Sequence, residues 1–348
     1  MRIAIDCRYL GMSGIGRYTE SILTDLDGGN EYIFIGKREK IEKYISDGDI
    51  VEDGVSPFSV KGLFPRRDVK KAINSCDVYF TPNFIIPFAI KIPVFSVIHD
   101  VIFMDMRTET TNGYFDYRIK KYLFGRCLRR SRRVFTVSGF SASRIRAHFG
   151  EYADKVVVAY NCVPVSVAAY ADLHKLPAEK RGYMVYCGNI KKHKGLSVLM
   201  RAYELLRKEG NPLGLKIVGE ASGHRTSDTD IMQRFSLPGV EFTGRLEDDE
   251  LYDVIAGAEF LIQPSFYEGF GMPPLEAVRL RTKPIISDIE VFREVYGGMD
   301  VCFFESGNAC DLADKIKTAS PECDGSVKRE YEFPATAEKI FRVIGEDL

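Results

Sequence analysis

The chain begins the same way twice. IAIDCRYLGMSGIGRYTESIL near the start and YMVYCGNIKKHKGLSVLMRAYELL from Tyr183 each pass from a β-branched or aromatic strand through a glycine-bearing turn into an amphipathic stretch. A strand that feeds a helix must cross back before the next strand can pair, so repetition of this unit commits a chain to parallel sheets covered by helices. Further strands are expected at Tyr32–Ile35, Val78–Phe80, Val94–Ile98 and Arg133–Val137, beside Arg2–Asp6. In the second half they are expected at Tyr183–Cys187, Leu215–Val218, Val240–Phe242, Phe260–Gln263 and Pro284–Ser287. Helices are expected at Arg17–Asp25, Phe115–Arg130, Gly195–Lys208, Leu246–Ala256 and Pro274–Leu280. With 348 residues the chain suits two α/β domains of about 150 residues each.

The expected fold class is therefore α/β, two Rossmann-like doubly wound parallel-sheet domains facing a central cleft, with ligands at the carboxyl ends of the strands. The first domain spans 1–165 and the second 181–332. The stretch 166–180 lacks a clear period and reads as the linker. Apolar positions 337, 340, 341 and 344 give the C-terminal segment 333–348 a helical period, and it either completes the first domain or packs on the second.

Composition closes off other classes. Apolar residues make up 45% and no low-complexity tract is present, which excludes disorder. The most apolar stretch, Phe84 to Ile98, is interrupted by Lys91 and two prolines, too broken for a spanning helix. Asp6 falls where a signal peptide needs its apolar run, so a cytoplasmic location is expected. Eight cysteines without a C-x-x-C pair read as small buried residues in a reducing compartment rather than zinc ligands.

The residues with the clearest chemical content lie at Ser265-Phe-Tyr-Glu268-Gly-Phe-Gly-Met-Pro-Pro-Leu-Glu276. A strand enters a glycine-rich turn and then a helix whose prolines suit its first turn. Backbone N–H groups and the positive helix end there suit a phosphate. Glu268 and Glu276 suit sugar hydroxyls, to which a carboxylate accepts charge-assisted hydrogen bonds. By spacing alone, the two glutamates could equally serve only to complement the helix dipole.

SFYEGFGMPPLEA resembles the E-x7-E segment of retaining GT-B glycosyltransferases of family 4. SGIGRYTESIL, VFSVIHDVIF, VFTVSGFSASRI, VVVAYNCV, VEFTGRLEDDEL and PIISDIEVFREVYGG resemble further segments of that family in the same order. The resemblance implies that the second domain binds a nucleotide-diphosphate sugar and the first a glycan or lipid-linked acceptor. It places Glu276 on the donor ribose, and Glu268 on the transferred sugar. Lys194 falls on the diphosphate, and the amides of Gly269, Phe270, Gly271 and Met272 along sugar and phosphate. Gly188, Asn189 and Leu275 join the donor site, and Gly244, Arg245 and Leu246 edge the base pocket. His99 would lie beside the reacting sugar. Gly14, Ile15, Gly16, Arg17, Asp100 and Ser138 would form the phosphate or acceptor side. His99, Lys194 and Glu268 are thus the catalytic candidates. Without the resemblance His99 reads equally well as a core histidine and Ser138 as a helix cap, and Gly14/Gly16 lack the third glycine of a dinucleotide fingerprint.

Two departures accompany the resemblance. Asn189 and His193 stand where many members carry an arginine, so one cation expected on the diphosphate is either missing or supplied by Lys192, His193 or Arg17. Arg281 and Thr282 replace the usual glycine after the E-x7-E helix. No metal or other cofactor is expected, because Lys194 and helix amides can take the charge that grows on the leaving nucleoside diphosphate. The Asp-x-Asp pairs Asp25/Asp27, Asp47/Asp49 and Asp228/Asp230 read as solvated turns or helix ends. Retention is expected through same-face attack, with the departing phosphate taking the acceptor proton. The mannosyltransferase branch is the nearest match, which makes GDP-mannose the expected donor. A UDP-sugar donor, a GT-B nucleotide-sugar epimerase and a non-catalytic nucleotide-sugar binder are the alternatives.

Charge is unevenly spread. Residues 1–165 hold 25 Lys/Arg against 19 Asp/Glu, although the whole chain has a net charge of −1. No acid falls between Tyr117 and Gly150. The segment 118–133 is expected to bury apolar positions 119, 123, 127 and 122, 124, 128 on one broad side and to expose its bases. That pattern suits either a solvated helix face or peripheral contact with an anionic membrane. Nucleic acid is not expected, for no reading module accompanies the basic run. His148, His174 and His224 read as surface residues.

Overall fold

The computed structural model describes residues 1–107, 113–174, 176–177, 179–219 and 236–348. His224, Asp228 and Asp230 lie outside the described residues. The chain forms two compact units, Met1–Val165 with Glu330–Leu348, and Ser166–Arg329.

The first unit is built on a seven-stranded sheet of β1 (Arg2–Asp6), β2 (Glu31–Gly36), β3 (Asp49–Glu52), β4 (Val78–Thr81), β5 (Val94–Val97), β6 (Ser131–Thr136) and β7 (Val156–Val158), in the order β3-β2-β1-β4-β5-β6-β7. Every pairing is parallel. The order reverses beside β1, the switch point at which doubly wound sheets open a crevice at their carboxyl edge. Ile33, Tyr79, Val94 and Val134 meet Ile73, Phe124, Leu128 and Ile145 in its core.

The second unit repeats the plan with β8 (Tyr183–Cys187), β9 (Gly214–Val218), β10 (Val240–Gly244), β11 (Phe260–Gln263), β12 (Lys283–Ser287) and β13 (Cys302–Phe304), ordered β10-β9-β8-β11-β12-β13. Its switch point lies between β8 and β11. The pairings are again parallel, and Met184, Ile217, Ile262 and Ile285 pack against Leu199, Tyr203 and Leu312. These are two Rossmann-like parallel-sheet domains.

The structure departs from the sequence expectations at five places. β3, β7 and β13 are absent from the expected strands, because each is three or four residues long at or near a sheet edge and carries little pattern of its own. The stretch read as a periodless linker contains the helix Val165–Leu173, which is apolar nearly throughout and so lacks a polar stripe. The first helix begins at Ser13 rather than Arg17, which moves Gly14, Ile15 and Gly16 into its first turn. Five of the eight cysteines are buried, but Cys302 and Cys323 are half-buried and Cys310 is exposed. Finally, the helix Tyr114–Arg130 buries Phe124, Gly125, Cys127 and Leu128, yet leaves Ile119 and Tyr122 facing water.

The C-terminal helix Ala335–Glu346 belongs to the first unit. The Thr336 hydroxyl donates to the Tyr160 carbonyl at 2.6 Å, Phe341 meets Tyr32, and Arg133 grips Asp347 with two guanidinium nitrogens. Among the described residues no helix is long and apolar enough to cross a membrane.

Candidate active site

The carboxyl ends of β8 and β11 bring together the residues with the most chemistry. β8 ends at Cys187 and continues through Gly188, Asn189 and a short turn, Lys192–Lys194, into the helix Leu196–Lys208. β11 ends at Gln263 and leads through Ser265 and Glu268 to the helix Met272–Arg279. The two exits are stitched together, since the Phe266 N–H donates to the His193 carbonyl at 2.8 Å. Gly195 makes that approach possible. Its φ is +68°, and a Cβ there would sit 1.8 Å from the Pro264 carbonyl oxygen.

At the centre the Lys194 ammonium donates to both oxygens of Glu268, at 2.8 and 2.7 Å. The Ser265 hydroxyl donates to Glu268 Oε1 at 2.7 Å and the Gln263 amide to the same oxygen at 3.2 Å. Glu268 is only 8% exposed, and three protein donors compensate the desolvation that burial imposes on its carboxylate. Gln263 and Ser265 fall in the expected strand and turn, but the sequence assigns neither a role at the site. Their signal was the position at and just after the strand end alone, five and three residues from the glutamate, which periodicity does not weigh.

His193 sits beside this cluster, and its imidazole is pushed down to about 4, first by burial and then by the neighbouring Lys194 charge. Without a ligand it is therefore neutral near pH 7. Lys192 is exposed, and Asn189 likewise faces solvent.

The glycine turn before the helix Met272–Arg279 has a tight requirement. Gly271 adopts φ +88°, where a Cβ would meet the Phe292 ring at 2.4 Å, and the Tyr296 hydroxyl donates to its carbonyl. Pro273 and Pro274 carry no N–H, so of the first four helical residues only Met272 and Leu275 offer one. The amide cradle at this helix end is thus smaller than the positive terminus alone suggests. The side chains of Leu275 and Phe270 are in the core, at 0% and 2% exposure, which leaves their main chains as the groups within reach of a ligand. Glu276 lies on the same helix, 4% exposed. Gly244 adopts φ +73° and its carbonyl accepts from the Gly219 N–H, Arg245 is exposed, and Leu246 lines an open groove with Lys216, Glu241, Thr243 and Asp253.

In the first unit the candidate residues gather at the carboxyl ends of β1, β5 and β6. Burial pushes the His99 imidazole below its usual value; because a carbonyl can only accept, its Nε2–H donates to the Pro82 carbonyl at 2.9 Å, and the ring meets Tyr18 edge-on at 4.9 Å. Asp100 accepts from the Ile102 N–H. Ser138 is fully buried and caps the helix Gly139–His148 by accepting from the Ser141 N–H at 3.0 Å. Gly16 is packed against the backbone of Tyr9 and Gly11, whereas a Cβ on Gly14 would meet nothing within 4 Å. Arg17 is half-buried on the same helix. The β1 exit is anchored by a buried ion network, Arg8 bridging Asp6 at 2.7 Å and Asp53 at 3.4 Å, with the Tyr79 hydroxyl on Asp6. Nothing in the local sequence around Asp6 announces this network, whose Arg8–Asp53 and Asp6–Tyr79 contacts span 45 and 73 residues.

Among the described residues, Asp300, Cys323 and Asp324 come close enough to share an ion, but Lys283 already pairs with Asp300. Asp27 caps its own turn by accepting from the Gly29 N–H, and Asp49 opens β3 and pairs with Arg2.

Known proteins resemble this chain in sequence and in fold. Residues 172–322 match the family described as glycosyl transferases group 1. The O-antigen chain mannosyltransferase B of Escherichia coli is 29% identical over 250 residues, covering 68% of this chain and 63% of that protein. The O-antigen chain mannosyltransferase RfbU of Salmonella typhimurium is 28% identical over 176 residues, covering 50% and 47%. The matches therefore span less than two thirds of these relatives' own length. In fold, the chain resembles Anabaena HepE, solved in complex with UDP-glucose, with a TM-score of 0.73 at 15% identity over 99% of this chain and 100% of that one. Sucrose-phosphate synthase from Thermosynechococcus elongatus gives 0.71 at 14% identity over 99% and 98%. Residues 172–322, within the second unit, are thus similar to the glycosyl transferases group 1 family, and the chain shares its fold with HepE and sucrose-phosphate synthase.

Proposed function

We propose that this chain is a retaining glycosyltransferase that moves a hexose, mannose from GDP-mannose, onto a lipid-linked or polysaccharide acceptor in surface glycan synthesis. The similarity to two O-antigen mannosyltransferases supports the sugar and the acceptor class. The observation that carries the reading is the Lys194–Glu268 pair at the end of β8 and β11, beside the turn into Met272–Arg279.

That pair explains how a donor would be held. The diphosphate is the stronger anion and draws the Lys194 ammonium toward itself. Glu268 keeps its Ser265 and Gln263 donors and gains free lone pairs, which accept from hydroxyls of the sugar. Negative charge then grows on the outer phosphate oxygens as the anomeric bond breaks. Lys194 and the Met272 amide meet that charge, a preorganised interaction stronger in the transition state than before it. Glu276 binds the ribose hydroxyls. In same-face attack the departing phosphate accepts the acceptor's proton, so no base on the opposite face is required. His99, neutral and anchored through Nε2, presents Nδ1 as an acceptor for a sugar hydroxyl.

The test is incubation with GDP-mannose, UDP-glucose and UDP-N-acetylglucosamine in parallel, with and without lipid-linked glycan. The expected result is GDP release that depends on acceptor, with an α-linked product by NMR. Donor turnover without acceptor would instead indicate an epimerase, and thermal stabilisation without nucleotide release a binding protein. Absence of both stabilisation and release with every nucleotide sugar would remove the proposal.

A further inference from the structure

The helix Tyr114–Arg130 points its bulky apolar residues the wrong way for a helix that merely covers a sheet. Phe124, Gly125, Cys127 and Leu128 form its buried face. On the opposite face Phe115 is 82% exposed, Ile119 59% and Tyr122 55%, at the i, i+4, i+7 spacing that stacks side chains along one stripe. Arg118 and Lys121 flank this stripe, and Arg129 and Arg130 continue the exposed side toward the helix end.

A second exposed apolar group joins it. Phe58, Val60 and Phe64 protrude from the segment before the helix Arg67–Asn74. Phe64 stacks on Phe88 at 4.9 Å, and the Arg126 guanidinium lies 4.1 Å from the Phe88 ring centre on its other contact. Arg126 is one turn beyond Tyr122 on the stripe, so the two groups connect into one surface. Seven of the twelve large exposed hydrophobic residues among those described, counting Tyr114, fall in these two segments. Lys61, Arg66 and Arg67 border the second group. The acids nearby are already engaged, Asp116 by Lys120 and Asp68 by Arg66.

We infer that this surface of the first unit docks on an anionic lipid bilayer, with Phe115, Ile119, Tyr122, Phe64 and Val60 entering the interface and the flanking bases meeting lipid phosphates. Aromatic and aliphatic side chains ringed by lysine and arginine gain on both counts at such an interface, where apolar atoms leave water and charges stay at headgroup depth. A second copy of the chain fits less well. A symmetric pair would set Arg118 and Lys121 against their own equivalents, a like-charge contact, and among the described residues the neighbouring Asp116 and Asp68 already pair with Lys120 and Arg66. The inference concerns binding alone and needs no particular donor, so a chain that transfers no sugar could still satisfy it.

The experiment is flotation of the full chain with vesicles of phosphatidylethanolamine and phosphatidylglycerol, and with phosphatidylcholine alone. The chain is expected to float with the anionic vesicles and to keep part of its binding as salt is raised, because the apolar contribution is not screened. Substituting Phe115→Ser, Ile119→Ser and Tyr122→Ser together should lower partition about tenfold or more and abolish the salt-resistant part. Arg118→Glu with Lys121→Glu should remove the salt-sensitive part. All five side chains are exposed, so folding is undisturbed, and Leu173→Ser, an equally exposed apolar site in the second unit, should change nothing. Unchanged flotation of the triple serine variant would overturn the inference. So would concentration-dependent dimerisation by light scattering that vanishes in that variant while the native chain ignores both vesicles.

Discussion

The Lys194 ammonium lies against both carboxylate oxygens of Glu268, although 74 residues separate them in the chain. Each neutralises the other in the ligand-free protein, and a bound diphosphate must compete with the carboxylate for the amine. Lys194→Ala is therefore expected to lower turnover by about a hundredfold to a thousandfold, through loss of leaving-group stabilisation. Glu268→Gln keeps the shape and should weaken sugar discrimination instead. Steady-state rates with both variants check this, and equal, mild losses from both would contradict the assigned roles.

Gly195 offers a conformational test. Alanine there combines a positive φ with a Cβ 1.8 Å from the Pro264 carbonyl, so the β8 exit must move away from β11. Gly195→Ala should cost about 2 kcal/mol or more of stability and break the Phe266 to His193 hydrogen bond. Donor affinity should fall in parallel with Tm, and a variant as stable and as active as the native chain would refute this.

Gly14 and Gly16 should part company. Gly16→Ala presses on the Tyr9 and Gly11 backbone and is expected to cost about 1–3 kcal/mol. Gly14→Ala meets open space inside a helix and should stabilise the first unit by about 0.5 kcal/mol. If a substrate approaches the backbone at Gly14, the same change lowers transfer while raising the melting temperature. Full activity in Gly14→Ala would free that position of any binding role.

His193 sets a pH dependence. Its folded value is about 4 against a usual 6.5, so between these the unfolded chain binds the extra proton and stability declines as pH falls. After discounting for its partial solvent screening, the loss amounts to about 2 kcal/mol. His193→Gln should flatten this part of the profile. Chemical denaturation from pH 7 to pH 4 measures it, and parallel profiles for the two proteins would disprove it.

Much of the architecture was readable from residue order. Ten strands stood out because runs such as Val94–Val97 and Phe260–Gln263 are buried on both faces and are apolar at three of their four positions. The edge strand Asp49–Glu52 did not, since its sequence Asp-Ile-Val-Glu sets only two apolar residues between charged ends, like a surface turn. The site was legible in part. Glu268 and Lys194 could be singled out, but Gln263 and Ser265 are ordinary strand-end residues whose importance is a matter of what lies within 3.2 Å of them.

What the amino-acid order determined by itself was the repeated strand, turn and helix, because backbone preference and periodicity act over a few neighbours. Tertiary structure alone decided the rest. It made His193 neutral by enclosing it, closed Lys194 onto Glu268, and turned Phe115, Ile119 and Tyr122 outward. Charge state and exposure depend on which distant segments supply the surroundings, and no local pattern encodes them.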